Sequence, residues 1–253
     1  MPDAQDLLAA YAKNFPDAGK LVLAPATDAQ TGDALSLRTA TCSFAIGLMP
    51  TPLPWSELAS AAASAWYWPE AAVTLRPARA HAVVSVRSES ADAIELMFAI
   101  TRVVAALALT SSALGVYLGG AEQVHKVEDF VSEASTATRE QLPLYLWVRF
   151  ELAEQSDGTI SLFTHGMSQF DLMEVEFPRS TLEPQTLMDR AFNIAHYLLE
   201  QGPVLSDGHT IGTSANEKFR VTHQASERPQ HKERVYRLEL EAAAPKAAPE
   251  LLN

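Results

Sequence analysis

Residues 144–165 read LYLWVRFELAEQSDGTISLFTH, and the fold class turns on this stretch. Strand-like runs cover 144–152 and 159–165, with Asp157-Gly158 between them. Both turn residues tolerate the positive φ that tight hairpins need, so the stretch predicts two antiparallel strands joined by a short turn. A third strand is predicted at 172–177. Ser180 and Glu183 then read as a capping pair, with Pro184 acceptable in the first turn of the helix they start. Leu187, Ala191, Ile194 and Leu198 recur at helical spacing until Gly202-Pro203 stops the helix. Short strands follow at 209–213, 219–224 and 235–240, and the last residues, 244–253, have the composition of a disordered tail.

Working upstream, 113–118 reads as a strand ending in the Gly119-Gly120 turn, followed by a short helix near 128–138. Asp92 and Glu95 predict a capped helix that continues through Ile94, Met97, Thr101, Val104 and Ala108. His81 to Val86 reads as a buried strand. A helix capped by Ser56 carries Leu58, Ala59, Ala62, Ala65 and Trp66, and Trp66-Tyr67-Trp68-Pro69 closes it. From 38 to 49 one strand is expected, with Cys42, Phe44, Ile46 and Leu48 alternating onto one face. At the start, Leu7, Leu8, Tyr11 and Phe15 mark a short amphipathic helix. The expected class is α+β: two halves of largely antiparallel sheet with helices on one face, compatible with a ferredoxin-like arrangement. The expected divisions are 1–36 (helix and loop), 37–140, 141–243 and the tail.

The 253 residues are 47% hydrophobic and 20% charged, with a formal charge of −12, so a sizeable core can be buried. An acidic balance argues against nucleic acid and anionic membranes, since both require clustered Lys and Arg. A basic protein partner fits it. Cys42 is the single cysteine, which excludes an intrachain disulfide and a thiolate metal cage. A reducing compartment, the cytoplasm, is expected. The acidic start lacks the pattern of a signal peptide, and the apolar stretch 93–118 carries Glu95 and Arg102 and reads as a helix and a strand rather than a span.

Few residues point to chemistry. His165 stands near Glu174 and Glu176, which lie two apart and so project to one face of a strand. A histidine beside carboxylates is raw material for acid–base catalysis, although a solvated strand face with a turn histidine explains the same residues. The remaining histidines form no ligand spacing: His196 is expected in a hydrogen-bonded core position, and His223 and His231 at a solvent-exposed hairpin. No cofactor and no metal are expected. Trp66, Tyr67 and Trp68 cannot all face one core, so at least one is expected to be exposed or at an interface.

Three phrases occur in order: Ser112-Ala113-Leu114-Gly115-Val116-Tyr117, then Leu142-Pro143-Leu144-Tyr145-Leu146-Trp147-Val148, then Thr164-His165-Gly166-Met167-Ser168-Gln169-Phe170 leading into Met173-Glu174-Val175-Glu176. This order resembles the bacterial family catalogued as domain of unknown function 4261, most clearly over 112–177. The family pattern has Thr-x-Gly-Leu, Phe-Gly and Glu-Leu-Glu phrases. Here Met167 stands for the leucine, Asp171 follows Phe170 in place of the glycine, and Glu174-Val175-Glu176 keeps the carboxylate spacing. The resemblance implies no catalytic residues. It also resembles, in broad style, proteins of contact-dependent and secretion-system neighbourhoods, including suppressor-of-fused-like immunity proteins. The expected function is a non-catalytic binding or accessory protein of immunity or adaptor type, whose partner is another protein or a second copy. The alternative is a hydrolase or metal-dependent enzyme using His165 with Glu174 or Glu176.

Overall fold

The structure, a computed structural model, describes residues 3–25, 34–90, 92–214, 217–228 and 230–241. The expected tail lies outside them. Two compact units form, Met1–Arg149 with Gln169–Asp171, and Phe150–Ser168 with Leu172–Asn253.

In the first unit, α1 (Ala4–Asn14) is capped by Asp3, whose carboxylate accepts the Gln5 N–H at 2.7 Å. It buries Leu7 and Tyr11. Strands β1 (Val22–Leu23), β2 (Ala34–Arg38) and β3 (Ser43–Met49) follow. The strand expected over 38–49 is corrected at its front: it begins only at Ser43, residues 39–42 form a turn, and β2 lies mostly upstream, where a loop was expected. The Thr39 hydroxyl accepts the Cys42 N–H at 3.1 Å, and the Thr39 N–H donates to the Cys42 carbonyl at 2.8 Å. That turn reverses the chain and sets Leu37 opposite Phe44. Helices α2 (Trp55–Ser64) and α3 (Ala71–Leu75) come next, then β4 (His81–Arg87). Ser56 is not the cap of α2: Pro54 holds that position and Ser56 falls inside the first turn. Nor is β4 buried, because it ends the sheet order β1-β2-β3-β4 and is flanked on one side only.

Asp92 caps α4 (Ala93–Leu109) by accepting the Glu95 N–H at 2.8 Å, and Arg139 holds the same carboxylate. Strands β5 (Val116–Leu118) and β6 (Gln123–His125) make a hairpin around Gly119-Gly120, followed by α5 (Val127–Thr136). The expected strand over 144–152 is corrected at its front. Leu144–Trp147 form one helical turn, α6, with the Val148 N–H returning to the Leu144 carbonyl at 2.7 Å. The Trp147 indole N–H donates to the buried Thr101 hydroxyl at 3.0 Å and meets Phe98 edge-on, so tertiary packing overrides the local strand preference.

The second unit is built on a sheet of order β10-β11-β12-β9-β8-β7, comprising β7 (Arg149–Glu154), β8 (Ile160–His165), β9 (Val175–Ser180), β10 (Thr210–Ser214), β11 (Glu217–Ala225) and β12 (Arg234–Leu240). The turn between β7 and β8 uses Gly158 at φ +82°, as Asp157-Gly158 predicted. Pairing is antiparallel for β8–β9, β11–β12 and β10–β11, and parallel for β9–β12. Helix α7 (Pro184–Gln201) runs between β9 and β10, packs on β8 and β9 and buries Leu187, Ala191, Ile194 and Leu198. Its start corrects the expected Ser180–Glu183 cap. Glu183 holds the cap position without a side-chain bond, and Ser180 instead accepts the Leu182 N–H at 3.2 Å. The class is α+β with largely antiparallel sheets. Among the described residues neither strand order is the interleaved one of a ferredoxin-like unit.

Candidate functional site

Between β8 and β9 the chain leaves the sheet and returns to it, and one carboxylate holds that excursion together. Gly166 at φ +118° opens the excursion, a 3-10 turn spans Met167–Phe170, and Asp171 at φ +57° closes it. Glu174 Oε1 accepts the N–H groups of Gly166 at 3.0 Å and Ser168 at 3.2 Å. Its Oε2 accepts the Met167 N–H at 3.2 Å and the Thr164 hydroxyl at 2.8 Å. The Thr164 oxygen in turn accepts the Val175 N–H at 2.7 Å, tying the end of β8 to the start of β9. A buried carboxylate is tolerable only when its acceptor sites are filled, and four donors fill these.

Glu176, only 2% exposed, does the same for the loop joining β11 to β12. It accepts the Ser226 hydroxyl at 3.0 Å and the Glu227 N–H at 3.2 Å, with Arg237 Nε at 3.9 Å. Arg237 reaches Gln224 at 3.1 Å, the Ala225 carbonyl at 2.8 Å and Glu227 at 3.2 Å. Both carboxylates expected to serve His165 are bound to the chain's own donors.

His165 pairs instead with Glu151 of β7, its Nε2 lying 3.0 Å from Oε2, while Arg228 binds Oε1 of the same carboxylate. The Arg228 guanidinium sits 5.0 Å over the Phe163 ring, His231 stacks on that ring at 4.5 Å, and the His165 and His231 rings meet edge-on at 5.1 Å. His231 Nδ1 lies 2.8 Å from Glu233, which, although burial raises its pKa, is drawn below the usual carboxylate range by its backbone hydrogen bond and His231. The exposed position expected for His231 is therefore corrected: its aromatic partner draws it in. His223 is likewise held, its Nε2 lying 2.7 Å from the Leu205 carbonyl. His196 is half-buried beside Glu200 rather than in the core. Sequence reasoning missed Glu151, Arg228 and His231. Only the alternation across the Asp157-Gly158 hairpin could have put Glu151 beside His165. Among the described residues no three His, Cys, Asp or Glu side chains are grouped to hold a metal ion, and no helix is long and apolar enough to cross a membrane.

The three aromatics of the first unit part company. Trp68 is buried with Leu58, Ala62, Ala71 and Leu75. Tyr67 donates its hydroxyl to the Val124 carbonyl at 2.8 Å and stacks on His125, and burial pushes its pKa up to about 12. Trp66 is 79% exposed, its indole meeting Tyr67 edge-on. Val73 of α3 is equally exposed. Behind them His125 is buried, with no hydrogen bond at Nε2, and burial pushes its pKa down to about 4 against the opposing pull of the Leu146 carbonyl. An open depression of about 340 Å³ in this unit is lined by Gly19, Lys20, Val22, Arg38, Thr39 and Thr41, among others, and includes none of the candidate residues.

The second unit is thus an α+β sheet whose two excursions are each closed on a buried glutamate. Residues 163–239 match the model of the family described as Domain of unknown function (DUF4261), so the resemblance read from the sequence is shown over this segment. The matched segment holds both glutamates, Thr164, His165, Arg228, His231 and Arg237, and shares only 163–177 with the stretch that suggested it. No curated protein and no solved structure matches the chain.

Proposed function

We propose that this chain is a non-catalytic binding or accessory protein, of immunity or adaptor type, that docks a partner protein through the surface around Trp66. One observation carries the reading: an indole left 79% exposed at the head of a run whose other two aromatics, Tyr67 and Trp68, are both held in place. Covering an indole removes on the order of 200 Å² from water, roughly 5 kcal/mol of gross driving force before the costs of association. The acidic balance of the chain favours a partner whose apolar pocket has a basic rim. The net charge of −12 would also speed encounter with such a surface. The test is recovery of partners from the native host with tagged wild type and Trp66→Ala over a range of salt. A stoichiometric basic partner held by wild type and weakened at least tenfold in the variant supports the reading. Equal recovery by the two proteins, or none by either, overturns it.

The catalytic alternative moves with the geometry from Glu174 and Glu176 to Glu151, the carboxylate 3.0 Å from His165. It predicts that His165→Ala abolishes a turnover that Trp66→Ala leaves intact.

A further inference from the structure

We infer that β4 is the interface of a two-fold homodimer, pairing antiparallel with β4 of a second copy about Val84. The strand has a hydrogen-bonded neighbour, β3, on one side only. Its seven pairs with β3, from Met49–His81 to Ser43–Arg87, run without a register shift. Among the described residues no backbone hydrogen bond beyond that ladder involves 81–87. Alternate N–H and C=O groups therefore face outward along the whole strand. Sheet edges are ordinarily protected by a bulge, a proline, a charged side chain or an extreme shortness, and in His-Ala-Val-Val-Ser-Val-Arg the one such feature is Arg87 at the very end. By contrast, the opposite edge strand, β1, has two residues.

Burial across the sheet shows the same unfinished edge. Phe44 and Ile46 of β3 are core residues, yet their cross-strand neighbours Val86 and Val84, on the same face, are only half-buried, and Ala82 beyond them is exposed. On the other face Val83 is 47% exposed. An added strand would bring the 82, 84, 86 row to the condition of its β3 neighbours.

The occupant is a second copy because the strand is complementary to itself. Antiparallel pairing centred on Val84 uses all seven residues with no overhang. It sets Val84 against Val84, Ala82 against Val86 and Val83 against Ser85, so the core-side row meets only apolar residues. Beyond the strand ends it brings Arg79 opposite Glu89 twice, and moving the centre to Val83 instead opposes Arg79 to Arg87. The pairing forms roughly six to eight interstrand hydrogen bonds, depending on which pair type Val84 occupies. A two-fold arrangement is closed, so it produces a dimer and not a fibre.

Cysteine scanning tests this directly, because the single native cysteine, Cys42, is buried. Directly opposed residues of antiparallel strands lie about 4.5–5.5 Å apart at Cα, within disulfide reach. The full-length Val84→Cys protein should oxidise to a covalent dimer, and Val83→Cys mixed with Ser85→Cys should cross-link more than either alone. Wild type and Trp66→Ala should both sediment as dimers, which separates this surface from the Trp66 surface. The Val83→Lys/Ser85→Lys double variant, folded by circular dichroism, should sediment as a monomer. A monomeric wild type overturns the inference. So does a dimer that survives the lysines without cross-linking through Val84→Cys, or a β4 edge that takes up only a strand from another protein.

Discussion

Glu174→Ala would remove the one acceptor shared by three backbone N–H groups and a hydroxyl. Gly166 and Met167 donate from buried positions, as does Thr164, whereas Ser168 is closer to solvent. Hydrogen bonds to an ionised group contribute roughly 1.5–3 kcal/mol each, and a buried donor left without an acceptor costs about 1–3 kcal/mol. The effects share one carboxylate and one loop, so they are not additive, and water can reach the Ser168 end. A total of about 3–5 kcal/mol is expected. Glu174→Gln keeps the shape but turns an amide N–H₂ toward donors, so about half that loss should remain. Urea unfolding followed by tryptophan fluorescence and far-UV circular dichroism would measure both, with Glu133→Gln as the exposed control expected to change stability by less than about 0.5 kcal/mol. A loss below about 1 kcal/mol for Glu174→Ala would show that the excursion closes without its carboxylate and refute the anchor reading.

Glu176→Ala should destabilise by about 2–4 kcal/mol in the same assay, since it frees the Glu227 N–H and leaves the buried Arg237 with Glu227 as its carboxylate partner. Trp68→Ala should cost about 3–5 kcal/mol through the cavity it leaves, and Trp66→Ala less than about 0.5 kcal/mol, a contrast thermal melting would resolve. His125 stays neutral when folded, with a pKa near 4, but protonates more readily when unfolded. The stability this lends is complete above the unfolded value of about 6.5 and is lost as pH falls from there through about 4, by at most about 3 kcal/mol. His125→Phe should flatten stability across that window relative to wild type, and an unchanged pH slope would count against it. Asp171→Gly should be neutral or stabilising by up to about 1 kcal/mol because φ is +57°, and Asp171→Val should cost about 1–2 kcal/mol; a stabilising valine would exclude backbone strain there.

The elements legible in the sequence are those whose cause is local. Asp92 satisfies an N–H three residues away, Gly158 supplies its own positive φ, and the 187, 191, 194, 198 row sets the buried face of α7. What failed depends on partners the chain brings from afar. Leu144–Trp147 is an apolar run that suits a strand or a buried helical turn equally, and Thr101 decides between them by accepting the Trp147 indole. The 38–49 strand starts only at Ser43 because a threonine hydroxyl closed a turn inside a β-prone run. Among candidate residues, the splitting of Trp66, Tyr67 and Trp68 was expected in kind but not by residue. His165 was found without its carboxylate, since Glu151 reaches it across a hairpin and Arg228 and His231 arrive on a loop from the far end of the sheet.

Glu174 and Glu176 drew notice as carboxylates two apart, a spacing that suits acid–base chemistry. The geometry gives the spacing a different physical origin. Successive odd and even positions of a strand alternate faces, so residues two apart present the same face to two different excursions of the chain. Glu174 closes the one between β8 and β9, and Glu176 closes the one between β11 and β12. The Thr-x-Gly phrase then follows from the same cause. Thr164 is the hydroxyl that bridges the two strands, and Gly166 adopts the positive φ that turns its N–H, with those of the next residues, toward one carboxylate. Asp171, where the resemblance implies a glycine, is itself left-handed, so the departure keeps the backbone and changes only the side chain. The motif phrases within the matched segment are thereby a signature of loop closure on a sheet.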